Sequence, residues 1–387
     1  MKNTHINPIP FSLPDIGSEE IAEVVDTLKS GWLTTGPKVK KFEENFVDFL
    51  GQNTHAISVN SATAGLHLAL EALGIKEGDE VIVPSLTFTA SAGVVRHMGA
   101  EVKLIDINPI TLNMDYNTIK ASISKKTKAI IVVHYAGLAC DMDEILQLAK
   151  SFGIKVIEDA AHALSASYKG RAIGLLESDV TVFSFYANKT MTTGEGGMVV
   201  TQDPFIAKRI KVMRLHGIDR DAFDRFRSIK SSWYYEVISA GFKYNMTDIA
   251  ASIGIHQLQK LPKFLEIRKK IASRYLSELS NLPIILPSDK NNNGVHAWHL
   301  FVIRLNQKSK ISRDELIHYL SEKNIGTSVH YKPLHLQPYW RDRYKLTSDM
   351  FPETDKAYQA MISIPLYTLM TDEQQDYIIS ELHNAFK

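Results

Sequence analysis

The chain has 387 residues, 44% hydrophobic and 22% charged, and its 44 Lys and Arg against 43 Asp and Glu leave a formal net charge of +1. That length exceeds one ordinary hydrophobic core and points to two domains, while the balanced charge gives no electrostatic footprint for a nucleic acid or an anionic membrane. The single cysteine, Cys140, leaves no intramolecular disulfide, fits a reducing compartment and reads as an inert thiol.

Met1–Pro8 has no apolar run, and no stretch reaches the length a membrane span needs, so a cytoplasmic protein is expected. The basic run Lys38–Lys41 reads either as a solvated helix face or as a group that meets a diphosphate. Apolar runs at His55–Val59, Glu80–Val83, Glu101–Ile105, Ala129–Val133 and Lys155–Glu158 are predicted strands. Between them, helical periodicity predicts helices over Ala64–Leu73, Ala90–Met98, Tyr116–Ile123 and Asp141–Phe152, the first of them ended by Gly74. Asp179–Ser184 and Gly197–Thr201 follow as a hairpin-like pair. Near-continuous apolar strands separated by helices imply an α/β fold with a mostly parallel, seven-stranded sheet covered on both faces. Ligands of such sheets bind beyond the carboxyl ends of the strands.

After about residue 203 the rhythm changes. Asp203–Leu215 reads as a helix, Gly217–Ser239 is irregular, and Thr247–Leu279 reads as a long helix broken at Pro262. Asp219–Arg227 reads equally as a surface loop or as a segment that closes over substrate. Asn291–Gly294 is a turn; strand Leu300–Arg304, helix Ser312–Lys323 and terminal helix Thr371–Phe386 form a smaller α/β unit. The expected division lies within the long helix, near 250 to 260, and is taken as 1–255 and 256–387.

Three strand ends carry polar residues that a buried sheet does not need. The run Lys155–His162 takes a strand directly into Glu158, Asp159 and His162. A carboxylate at such an end is hydrated, paired with a cation or bound to a ligand; a helix cap or local ion pair is the plainer account. Lys189 lies between the two hairpin-like strands, beside aromatics and before a Gly-rich turn. Desolvation there would let its amine attack a carbonyl, whereas a snorkelling surface lysine is the alternative. Ser58–Gly65 takes a strand into a helix through small residues, so the amides of Thr63 and Ala64 suit a phosphate, although a Ser/Thr cap has the same appearance. Phe88 stands at a fourth strand end. Together these parts match what pyridoxal 5'-phosphate (PLP) requires: an amine, an acid for the ring nitrogen, a phosphate cup and an aromatic face. The histidines fall in no metal-ligand spacing.

The stretches Ser30–Pro37, Asn60–Ala64, Glu158–His162, Phe183–Gly197, Lys243–Asp248 and His330–His335 resemble, in this order, the DegT/StrS family of PLP-dependent nucleotide-sugar aminotransferases. The resemblance implies fold type I, the aspartate-aminotransferase-like fold, with a large PLP-binding domain and a smaller C-terminal α/β domain. His134–Gly137, Tyr244–Asp248 and His296–Leu300 are most similar to members acting in the UDP-4-amino-4-deoxy-L-arabinose pathway, which share Thr247 where many others carry Arg. The resemblance further implies that Lys189 holds PLP as a Schiff base and moves the proton, and that Asp159 keeps the pyridine nitrogen protonated. Ser184, Thr63 and the amide of Ala64 would bind the phosphate, Phe88 would stack on the ring, and His162 would sit near the phenolic oxygen. Asn245 would reach the phosphate of a neighbouring subunit's cofactor, making a homodimer with shared sites. Trp32, Thr34, His330, Tyr331 and His335 would line the sugar-nucleotide side. The implied reaction is ping-pong transfer from L-glutamate, released as 2-oxoglutarate, to a nucleotide-linked 4-keto sugar. Transamination at C3, an aminocyclitol or aminoshikimate-type substrate, and a PLP-free regulatory protein on the same fold are the other readings.

Overall fold

A computed structural model describes residues 7–51, 53–219, 233–289 and 294–387. The stretch 1–6, the residues 220–227 of the expected closing segment and the turn at 291–293 lie outside the described residues. Seven strands form the main sheet: β1 (His55–Val59), β2 (Glu80–Pro84), β3 (Glu101–Ile105), β4 (Thr127–Val133), β5 (Lys155–Asp159), β6 (Val180–Ser184) and β7 (Gly197–Thr201). Their spatial order is β1-β7-β6-β5-β4-β2-β3. The chain is thus an α/β protein with a mostly parallel sheet; β7 alone runs against its neighbours β1 and β6.

Continuous apolar strands bury both faces, and a core forms on each. One holds Phe42, Phe46, Ile130, Val156 and Phe183 beneath α2 (Pro37–Leu50), which follows α1 (Ser18–Ser30). The other holds Leu66, Val81, Val94, Ile131 and Val199 beneath α3 (Ala62–Ala72) and α4 (Ala90–His97). Helices α5 (Tyr116–Ser122), α6 (Met142–Phe152) and α7 (Pro204–Met213) complete the layers. Gly65 sets how closely α3 lies on the sheet, since a Cβ there would stand 2.7 Å from Val182 Cγ1 and 3.0 Å from Val199 Cγ2.

Helix α8 (Asp248–Glu278) runs 31 residues without the break expected at Pro262. Proline removes one backbone hydrogen bond, but Leu258, Leu261 and Phe264 are packed into the first core and hold the helix straight through it. From Ile271 onward α8 packs instead into a second body with Tyr275, Phe301, Leu316 and Ile378. The expected division at 255/256 therefore falls inside a helix shared by both cores. That second body contains the antiparallel sheet β8 (Ile284–Ile285), β9 (Phe301–Leu305) and β10 (Met361–Ile364). Helices α9 (Arg313–Glu322), α10 (Pro338–Tyr344), α11 (Pro352–Ala360) and α12 (Asp372–Ala385) accompany it. Trp340 and Phe351 reach back to the core of the large sheet. Among the described residues no helix is long and apolar enough to cross a membrane.

Candidate active site

The last residue of β5, Asp159, is 7% exposed. Its Oδ2 accepts from Ser91 Oγ at 2.7 Å and its Oδ1 from the Ala161 amide at 3.2 Å. Burial raises its pKa, against the pull of these hydrogen bonds and of the Lys189 charge. The preceding residue, Glu158, points away from Asp159 into the protein and is fully buried. It accepts from His134 Nε2 at 2.8 Å, from Thr181 Oγ1 at 2.7 Å and from Ser178. The Cys140 amide donates to His134 Nδ1 at 3.1 Å, so the neutral imidazole carries its proton on Nε2 and donates it to Glu158. Burial opposes ionisation of Glu158, yet these donors bring its pKa below the usual value. The Cys140 thiol is buried, and burial pushes its pKa well up.

Lys189 sits in the connection from β6 to β7, where its amide donates to the Tyr186 carbonyl at 2.9 Å. Burial lowers the pKa of its amine to about 8, even though Asp159 draws it the other way. Asp159 and Lys189 face one cavity of about 430 Å³.

At one end of that cavity stands the N-terminus of α3. Ser61 Oγ accepts from the Ala64 amide at 3.1 Å and the Ser61 carbonyl from Gly65 at 3.1 Å. This leaves the amides of Ala62 and Thr63 with no acceptor within the helix. Ala64, expected to offer its amide, spends it on the cap and lies buried behind the wall; the free donors begin two residues earlier. Gly197 makes the approach possible, because a Cβ there would come within 2.8 Å of the Ala62 nitrogen. Ser184 lines the same cavity.

His162, His330, Tyr331 and Phe88 also line the cavity. The Ala136 amide donates to His162 Nδ1 at 3.2 Å, which fixes the proton of the neutral ring on Nε2, 3.0 Å from Tyr331 Oη. Tyr331 accepts that proton's hydrogen bond and keeps its own to donate. Burial first, and then the Lys189 charge, holds His162 well below the ordinary histidine pKa, while burial keeps the Tyr331 phenol protonated. His330 is brought down to about 4 by the same two causes and pairs through Nδ1 with Ser363 Oγ at 2.8 Å. Phe88 is 55% exposed, its ring 5.7 Å from that of Tyr331.

Four other expected residues do not line this cavity. His335 is a correction: its side chain is fully buried, stacks on Phe351 at 4.6 Å and pairs with Ser85 Oγ at 2.7 Å. It braces the chain after Tyr331 instead of facing a ligand. Trp32, Thr34 and Asn245 gather in a separate cluster. Trp32 Nε1 donates to the Thr35 carbonyl, Asn245 Nδ2 to Thr35 Oγ1 at 2.7 Å, and the Asp248 amide to the Thr34 carbonyl. Asp248 caps α2 by accepting from the amides of Gly36, Lys38 and Val39. Residues the sequence reading passed over, Ser61, Ala62, Tyr135, Tyr186, Asn188 and Glu195, do line the cavity. Three of them flank Lys189 in sequence, and that proximity was the available signal.

A lysine of lowered pKa and a buried carboxylate at neighbouring strand ends, with unpaired helix amides at the far end, define a fold type I PLP-dependent aminotransferase site. The model of the DegT/DnrJ/EryC1/StrS aminotransferase family matches residues 14–383, and the chain belongs to that family. It is 50% identical over 380 residues to the Methanocaldococcus jannaschii protein MJ1066, covering 98% of this chain and 97% of that one. With the spore coat polysaccharide biosynthesis protein SpsC of Bacillus subtilis it shares 44% identity over 381 residues, at 98% and 97% coverage. The sugar aminotransferase Spr1654 of Streptococcus pneumoniae in its PMP-form superposes with a TM-score of 0.90 at 38% identity, covering 97% of this chain and 98% of that one. Its PLP-form superposes with a TM-score of 0.89. The protein is a PLP-dependent aminotransferase. The unsatisfied amides of Ala62 and Thr63 and the gap kept by Gly197 suit the cofactor's phosphate.

The lowered pKa of Lys189 has a direct consequence. Only the neutral amine attacks a carbonyl, so the rate at which PLP combines with cofactor-free protein is expected to rise with pH through a midpoint of about 8 and level off above it. Stopped-flow absorbance measures it; a midpoint near the ordinary lysine value of 10.5 would contradict the environment described.

Proposed function

We propose that this enzyme transfers an amino group from L-glutamate to a nucleotide-linked 4-keto sugar, a UDP-4-keto pentose or a 4-keto-6-deoxyhexose. It does so by a ping-pong sequence, as a cytoplasmic homodimer. The observation that carries the sugar assignment is the make-up of the cavity wall. Among the described residues that line it, Lys189 is the only lysine or arginine, and hydroxyl, imidazole, amide and carboxylate groups of Tyr186, His330, Asn188 and Glu195 line it as well. Such a wall offers hydrogen-bond partners to the hydroxyls of a sugar ring.

Bound here, PLP would supply an electrophilic carbon and a ring that withdraws electrons from the carbon losing or gaining the amine. The amides of Ala62 and Thr63 with Ser184 would hold its phosphate, Phe88 would cover one face, and Asp159 would face the ring nitrogen. Lys189 Nζ would anchor the cofactor, then take a proton from one carbon and return it to the other as general base and acid. His162 would orient Tyr331, whose remaining proton points to the cavity.

The homodimer accounts for the second cluster. Trp32, Thr34 and Asn245, away from this chain's own cavity, would complete that of the neighbouring subunit. Ile21, Val25 and Leu28, spaced as one helical stripe on α1 and 59%, 41% and 52% exposed, provide apolar surface beside them.

The test is amine transfer from glutamate to UDP- and dTDP-linked 4-keto sugars run side by side, with products analysed by mass and position. Formation of a 4-amino sugar nucleotide is the expected result. Amination at C3, or turnover of an aminocyclitol precursor alone, would overturn the assignment.

A further inference from the structure

Asn188 precedes Lys189, lines the cavity, and has a buried Oδ1 that accepts no hydrogen bond among the described residues. A buried amide oxygen left unpaired is destabilising, and native proteins rarely keep one unless a bound molecule or water answers it. On the same loop, Glu195 also faces the cavity and makes no side-chain ion pair or hydrogen bond among the described residues.

Both groups accept hydrogen bonds, so their partner must donate. A phosphate has no proton to give at neutral pH and would be repelled. An amino acid donor brings carboxylates, which also accept, and one amine, which is the group transferred. A sugar brings several hydroxyls. We infer that Asn188 is a specificity-determining residue that reads the hydroxyl on the carbon next to the reacting carbon of the keto sugar. The inference rests on the proposed sugar substrate. Asn188 and Lys189 line the same cavity, and of the two carbons beside C4 in such a sugar only C3 carries a hydroxyl.

The experiment uses the PLP-loaded enzyme and the nucleotide-linked 4-keto sugar that the wild type aminates. Asn188→Ala and Asn188→Leu, the second keeping the volume, are compared with wild type in the separate half-reactions. The apparent KM for the keto sugar, and the dissociation constant of its 4-amino product by calorimetry, are expected to rise about tenfold, the scale of one buried hydrogen bond. The glutamate half-reaction should change less than about threefold. With the analogue lacking the C3 hydroxyl, wild type and variants should become equal, because the pair is then already broken. Equal losses in both half-reactions, or a variant penalty that persists with the deoxy analogue, would overturn the inference alone. A wild type that aminates no keto sugar would overturn the proposed function and this inference with it.

Discussion

Replacement of Lys189 by Ala is expected to lower turnover by about 10⁴-fold, the upper end of what a positioned proton-transfer group contributes, and to raise the stability of the cofactor-free protein. The two effects have one cause. The amine lies in a cavity whose low polarity disfavours its charge, and among the described residues it donates no hydrogen bond in return. Its pKa is lower in the folded chain than the 10.5 of the free side chain, so folding disfavours the protonated form. That penalty is fully present below about pH 8, shrinks as the pH rises, and is gone above the unfolded value. The Tm gain of Lys189→Ala should follow the same course. Scanning calorimetry at several pH values measures it beside single-turnover amine transfer. A variant that keeps more than a hundredth of wild-type turnover would remove Lys189 from the chemistry, and a Tm loss at neutral pH would remove the account of its burial.

Replacing Asp159 with Asn is expected to cost about 10²- to 10³-fold in turnover, the scale of one oriented electrostatic group. Asn can still accept from the Ala161 amide and meet the Ser91 hydroxyl, so the site keeps its shape. What it lacks is negative charge to hold a proton on the ring nitrogen it would face. PLP should therefore still bind, with its visible absorbance altered, while amine transfer slows in both half-reactions. Turnover within tenfold of wild type would mean that hydrogen bonding suffices and the charge does no chemistry.

Much of this was legible in the residues because parallel sheets advertise their working edge. Runs such as Lys155–Val156–Ile157 announce buried strands, and a carboxylate at the end of one stands out against them. Lys189 between two apolar strands is legible for the same reason. Facing direction was not. The segment from His330 to His335 is continuous in sequence, yet Tyr331 meets the cavity and His335 turns away to Phe351 and Ser85. No periodicity tells those two apart, since the segment is neither helix nor strand over its whole length. The α3 cradle was placed one residue late, at Thr63 and Ala64 instead of Ala62 and Thr63, because the hydroxyl of Ser61, and not a downstream residue, satisfies the amide of Ala64. Asn188 lies inside the Phe183–Gly197 stretch but has no residue pattern of its own to set it apart; it stands out only when the partners of a buried atom are counted. Pro262 misled in the opposite direction, since local preference was overridden by packing on both sides of it.

Helix α8 joins these matters. At its start Asp248 grips the head of α2 and holds the Trp32–Gly36 loop, and at its far end Tyr275 is embedded with Phe301. One rigid beam, roughly 46 Å long at 1.5 Å per residue, is thus built into two separate foundations. Neither can loosen without loading the beam, and the rung missing at Pro262 is where the beam bends most readily. A strain born among the small strands would arrive, through that lever, at the Trp32–Gly36 loop.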